Sequence, residues 1–258
     1  MKLDGFKLKV IAVICMILSN ATYPLINILP SSAKFVLHGV GGVTFLVMAF
    51  LAIEGYRYTK NLKRYITRLA IFGAIATPFH IVAFGIAQLN IMFTIILGLL
   101  VVMLYDKLKS RRWAFWLIFV VIVLPFSAAA VEFFFLGVTA MLLYHVIRNE
   151  KVRRIVPPVF MGSILLGMSI FGFLFFGDVE PAEGIFRNAN AFMDSTFMFY
   201  SIPFAATMLL VPFLTLRYDG KRGRPWKWFF YIEYPVQLAV FAVMAVVLGV
   251  ADLSVLFN

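Results

Sequence analysis

The chain has 258 residues, 63% of them hydrophobic and 29 of them Phe, where an ordinary soluble domain is about half apolar. That excludes a soluble globular domain and predicts an all-α, polytopic transmembrane helical bundle in a single domain, residues 1–258. The net charge of +11 does not imply nucleic acid, because the basic residues form short clusters between apolar runs and no aromatic–basic RNA motif is present.

A span needs about 20 mostly apolar residues. The first runs from Leu8 to Leu29 and carries the one cysteine, Cys15, which excludes a disulfide framework and a Cys-rich metal site. Its start imitates a signal peptide, with Ser31-Ser32-Ala33 resembling a cleavage site. Similar spans follow along the chain, so it reads as an uncleaved first helix. The second span covers Phe35 to Glu54, the third Tyr65 to Ile86, and the fourth Leu89 to Tyr105. The fifth, from Trp113 to about Ser127, and the sixth, Val131 to Ile147, are short and meet near Pro125. They form tilted helices or a re-entrant pair. The seventh spans Val156 to Phe176, the eighth Thr196 to Leu216, and the ninth Trp226 to Val250.

Basic clusters precede span one and follow spans two, four, six and eight. The opposite loops hold only Lys34 and Arg187, and most of the acids, including Asp178, Glu180, Glu183 and Asp194. By the positive-inside rule the N-terminus is cytoplasmic, with about nine spans.

A charge inside a span needs a partner or a wet cavity. Glu54 closes span two and Arg68 opens span three, so each is a candidate ion-pair partner of the other, with Arg57, Lys60, Lys63 and Arg64 between them. Asn20 suits a helix–helix hydrogen bond. His38, followed by the packing glycines Gly39, Gly41 and Gly42, is either a general base or an interfacial hydrogen bonder. His80 and His145 read as interfacial and headgroup-facing, and Glu132 as solvent-facing. Asn90 and Thr94 stand one turn apart and could line a cavity. Glu233 lies about 10 Å in from Trp226 at 1.5 Å per residue, with Gln237 one turn deeper. A carboxylate at that depth is a site hypothesis. No Walker loop, Gly-x-Ser-x-Gly, His-Glu-x-x-His or Rossmann fingerprint is present.

Three stretches together resemble the TraX family of integral membrane proteins. They are Glu54-Gly55-Tyr56-Arg57-Tyr58-Thr59-Lys60-Asn61 running on to Arg68-Leu69; Pro78-Phe79 with Asn90-Ile91-Met92-Phe93-Thr94 and Leu97-Gly98; and Tyr218-Asp219-Gly220-Lys221-Arg222-Gly223 with Phe230-Tyr231-Ile232-Glu233-Tyr234-Pro235. That family is named for a protein proposed to acetylate conjugative pilin and is related to multi-span acyltransferases. The chain departs from it by having Ser19-Asn20 where an Asp-His pair is usual, Gln237 where a His is usual, and His38 where an Arg is common.

The resemblance implies an acyltransferase in the bacterial cytoplasmic membrane. Acetyl-CoA or another acyl-CoA would donate from the cytoplasm. The acceptor would be a hydroxyl or amine on a peptide, glycan or lipid-linked group at or beyond the outer leaflet. Membrane lipid is the other partner; neither metal nor nucleic acid is expected. On this reading His38 is the base, with Asn20 and Asn90 polarising the acyl carbonyl. Donor and substrate contacts would come from Arg57, Tyr58, Lys60, Asn61, Thr94, Lys221, Arg222, Glu233, Tyr234 and Gln237. The alternative is a catalytically degenerate relative serving as a binding, accessory or immunity factor.

Overall fold

The computed structural model describes residues 2–85, 87–175 and 195–251. The acidic stretch holding Asp178, Glu180, Glu183, Arg187 and Asp194 lies outside them. Among the described residues all regular structure is helical, apart from two isolated bridges, Leu3 with Tyr218 and Leu89 with Val131.

Helix α1 (Gly5–Asn20) starts at Asp4, whose carboxylate accepts the Lys7 N–H at 2.8 Å. It has 16 residues, not the 22 expected, because irregular turns take over after Asn20. Pro24 has no N–H with which to bond the Asn20 carbonyl. Helices α2 (Ser31–Val40) and α3 (Gly42–Tyr58) form one bent rod interrupted at Gly41. The expected packing role of the glycines holds here. A Cβ on Gly41 would collide with the Ser19 hydroxyl, and one on Gly42 with the Phe204 carbonyl. The close approach lets the Thr44 hydroxyl donate to the Ala12 carbonyl at 3.1 Å, tying α3 to α1.

Helix α4 (Leu62–Phe84) is capped by Asn61, which accepts the Arg64 N–H, and stops at Gly85 in the left-handed region (φ 66°). Helix α5 (Ile91–Lys107) is capped by Asn90. The fifth span is one helix, α6 (Arg112–Ala130), long and apolar enough to cross a membrane. Its middle widens into a π turn over Phe119–Val123, just before Pro125, whose ring would otherwise strike the Val121 carbonyl. Helices α7 (Phe134–Val146), α8 (Glu150–Phe175), α9 (Ser195–Met208), α10 (Val211–Thr215) and α11 (Lys227–Val247) complete the chain.

Among the described residues five helices are long and apolar enough to cross a membrane, while α7 and Tyr200–Thr215 are apolar but shorter. The protein is therefore an integral membrane helical bundle. Helix α3 is its axis. Residues from Gly42 to Glu54 are buried on almost every side, as expected of a helix that is apolar all round. Phe45, Phe50, Leu99, Met141 and Tyr144 fill the core around it.

The basic ends of the helices gather at one end of the bundle. Leu3 bridges to Tyr218, Arg57 donates to the Tyr144 and His145 carbonyls, and Arg154 donates to the Tyr218 carbonyl. Leu89 and Val131 meet at the opposite end.

Candidate active site

A cavity of about 480 Å³ opens at the basic end, between α1, α3, α4, α5 and α11. Its lining includes the cations Lys9, Lys60, Arg68 and Arg222 and one carboxylate, Glu233. Lys9 lies over the Phe230 ring (5.3 Å) and Arg68 over the Tyr231 ring (5.6 Å). The Arg68 Nε and both Glu233 carboxylate oxygens are buried without a hydrogen-bond partner. Deeper in, Met48, Leu51, Met92 and Ile95 make the wall apolar. The composition suits a polyanionic head followed by a flexible, largely apolar tail.

The cavity narrows at Met16, Ile91 and Tyr234. The same three residues border a second pocket of about 40 Å³, lined by Ser19, Asn20, Thr44, Glu132, Phe133 and Phe204 among others. Two of its polar groups are already engaged, since Ser19 donates to the His38 carbonyl and Thr44 to the Ala12 carbonyl. Asn20, Glu132 and Tyr234 supply the remaining polar side chains.

Glu132 is held inward by an unusual turn. Its N–H donates to the Leu89 carbonyl, and its own carbonyl accepts the Thr94 hydroxyl at 2.6 Å. The next two residues, Phe133 and Phe134, have φ of 62° and 46°, a region that bulky side chains rarely occupy. Stacking of Phe133 on Phe45 at 4.5 Å compensates this strain. Strain of this kind concentrates at functional sites.

Of the residues singled out in the sequence, Tyr58, Lys60, Arg68, Arg222, Glu233 and Tyr234 line the large cavity and Asn20 lines the small one. The expected trio of His38, Asn20 and Asn90 does not converge. The His38 ring stacks on Phe204 (5.1 Å) and sits edge-on to Tyr23 (5.9 Å), outside the pocket lining. Asn90 is spent on structure: its amide donates to the Gly73 carbonyl and the Thr77 hydroxyl, and its oxygen accepts the Met92 N–H.

The Glu54–Arg68 pair is also replaced. Glu54 bonds Arg153 at 2.9 Å and Arg57 at 3.4 Å. Helix α8 brings Arg153 to the foot of α3, whereas Arg68 turns to the cavity and Tyr231. Arg57 is thereby a structural clamp. Asn61 caps α4 and Thr94 anchors Glu132. Lys221 is exposed, its carbonyl accepting the Gly5 N–H. Gln237 is buried beyond the cavity lining with neither amide atom bonded.

Two side chains read as peripheral, Glu132 and His80, are not: Glu132 lines the inner pocket and His80 is buried. His145, at the basic end, bonds Asp106 at 3.0 Å, where Tyr56 also donates at 2.9 Å. Asp106 lies just past the apolar part of α5. Burial pushes its carboxyl up, but hydrogen bonds from His145 and Tyr56, with the charges of His145 and Lys109, outweigh it and leave the group below its ordinary value. The signal that could have found Glu132 is its rarity. It and Glu233 are carboxylates within spans otherwise almost free of them.

The TraX protein family model matches residues 5–245. A curated relative from Dichelobacter nodosus, described as a probable fimbrial assembly protein FimC of serogroup H1, is 29% identical over 252 residues. The match covers 92% of this chain and 93% of the relative. No solved structure matches.

Proposed function

The chain belongs to the TraX family, and from that premise we propose that it transfers an acyl group, acetyl first among them, from acyl-CoA to an amine or hydroxyl across the membrane. The observation that carries this reading is the pair of cavities meeting at Met16, Ile91 and Tyr234, with Glu233 on one side and Glu132 on the other. The donor enters from the basic end, its phosphates held by Lys60, Arg68 and Arg222. Its flexible arm runs along Met48, Leu51 and Met92, which brings the thioester to the constriction.

The acceptor meets the thioester in the small pocket. Glu132 takes a proton from the attacking nitrogen or oxygen as the new bond to the acyl carbon forms. Tyr234 and the Asn20 amide donate to the carbonyl oxygen as it gains charge. The carbon–sulfur bond breaks, and the thiolate is protonated on the cavity side, where Glu233 stands. Basic ends that are cytoplasmic give nine crossings in the bacterial cytoplasmic membrane, with the N-terminus inside. The printed description of the Dichelobacter relative supports an acceptor among fimbrial or pilus components.

The test is release of CoA thiol from acetyl-CoA by the purified protein, with benzylamine as a surrogate acceptor. Glu132→Gln lowers turnover at least about 100-fold while acetyl-CoA still raises the melting temperature. Stabilisation without turnover in the unaltered protein would instead identify a binding or accessory factor.

A further inference from the structure

Helices α4 and α11 pack against each other along most of their length. One rung of contact joins Phe72 and Arg68 to Tyr231 near the basic end. A second joins Ala83 to Phe241 and Ala242 near the other end. Between these rungs the seam would be expected to be apolar. Here the two helices carry two polar side chains that are more than nine-tenths buried, His80 of α4 at 4% and Gln237 of α11 at 8% exposure. The His80 Nδ1 and both amide atoms of Gln237 lack a hydrogen-bond partner. One turn below Gln237 are the unpartnered oxygens of Glu233, which lines the large cavity. Pro235 adds an acceptor, because it lacks the N–H that would bond the Tyr231 carbonyl.

Leaving this many polar groups unpaired in an apolar interior is destabilising. Buried water relieves such groups, each molecule commonly bonding about three. We propose that the α4–α11 seam binds a file of water running from Glu233 through Gln237 to His80. The acyl-transfer reading gives the file a use, and the inference rests on that reading only for this use. Transfer to an amine removes one proton from nitrogen and delivers one to sulfur. In that step Glu132 gains the proton from nitrogen and Glu233 gives one to sulfur, and a hydrated seam is a route, besides the open cavity, by which Glu233 regains it.

The test is hydroxyl-radical labelling of the whole protein in detergent, using ¹⁸O-water, which needs no acceptor and no turnover. His80 should be labelled several-fold faster than Phe115, which is also buried but apolar-lined, and Gln237→Leu should slow that labelling. Labelling of His80 at the Phe115 rate would overturn the proposal. Melting provides the second measurement. If Gln237→Leu raises the melting temperature, the seam is dry and the proposal fails, since removing an unsolvated polar group stabilises. An unchanged or lower melting temperature together with slowed His80 labelling is the expected result. Failure of acyl transfer with these outcomes intact would remove the use of the file, not the file.

Discussion

Met16 of α1 and Tyr234 of α11 line both cavities and, with Ile91 of α5, stand in the wall the two share. Met16 is flexible and fills irregular space, whereas Tyr234 is rigid and carries a hydroxyl. Substituting Met16→Trp should plug the gap and lower transfer by about 100-fold or more, since small misplacements of reacting groups have effects of that size. Acetyl-CoA should still raise the melting temperature, because the cations lining the large cavity are untouched. Parallel thiol-release and melting measurements check both halves. Equal loss of binding and turnover would show that the donor does not reach the constriction by this route.

Glu54 and Arg153 form a buried ion pair, with side chains 9% and 7% exposed. Glu54→Leu leaves the Arg153 guanidinium buried opposite an apolar group and should lower stability by about 3–5 kcal/mol. Adding Arg153→Leu should restore most of it, because removing both charges removes the desolvation cost as well. The comparison is made by thermal or denaturant melting of the two variants in one detergent. A double variant no more stable than the single would contradict the pairing.

Asp106 joins three helices, accepting from Tyr56 of α3 and His145 of α7. Its carboxyl is held below the ordinary value in the folded protein. The stability it contributes is therefore fully present above the unfolded carboxylate pKa of about 4, and is lost as pH falls through the lower folded value. Melting temperatures measured downward from pH 6 should drop below about pH 4, and Asp106→Asn should flatten that drop. An unaltered acid profile in Asp106→Asn would contradict the assignment.

Composition was enough to identify a helical membrane bundle, and the alternation of basic clusters placed the helix ends that now meet at one end. Segment lengths were less legible. Hydropathy does not mark where α1 stops, because the residues after Asn20 are as apolar as those before it and only Pro24 betrays the change. Pro125 looked like a break between spans, but a π turn absorbs it within α6.

At the site, the cations and Glu233–Tyr234 stood out because charge and depth conflict along one helix. The partner of Glu54 did not. Arg153 lies 99 residues away, and only tertiary packing distinguishes it from the nearer Arg68. Asn90 seemed catalytic by its position, yet a polar residue before an apolar helix is also the signature of an N-cap, and that is how it is used. Glu132 was hidden by its place at the end of a segment, where solvent seemed a sufficient explanation until the turn at Phe133 brought it inward.

The most direct measurement is a structure of the protein bound to a non-cleavable thioether analogue of acetyl-CoA. The account predicts the phosphates among Lys60, Arg68 and Arg222, and the acyl carbon between Met16 and Tyr234 with Glu132 beyond it. An analogue seated away from the basic cavity, or an acyl carbon that stops short of Tyr234, would contradict it.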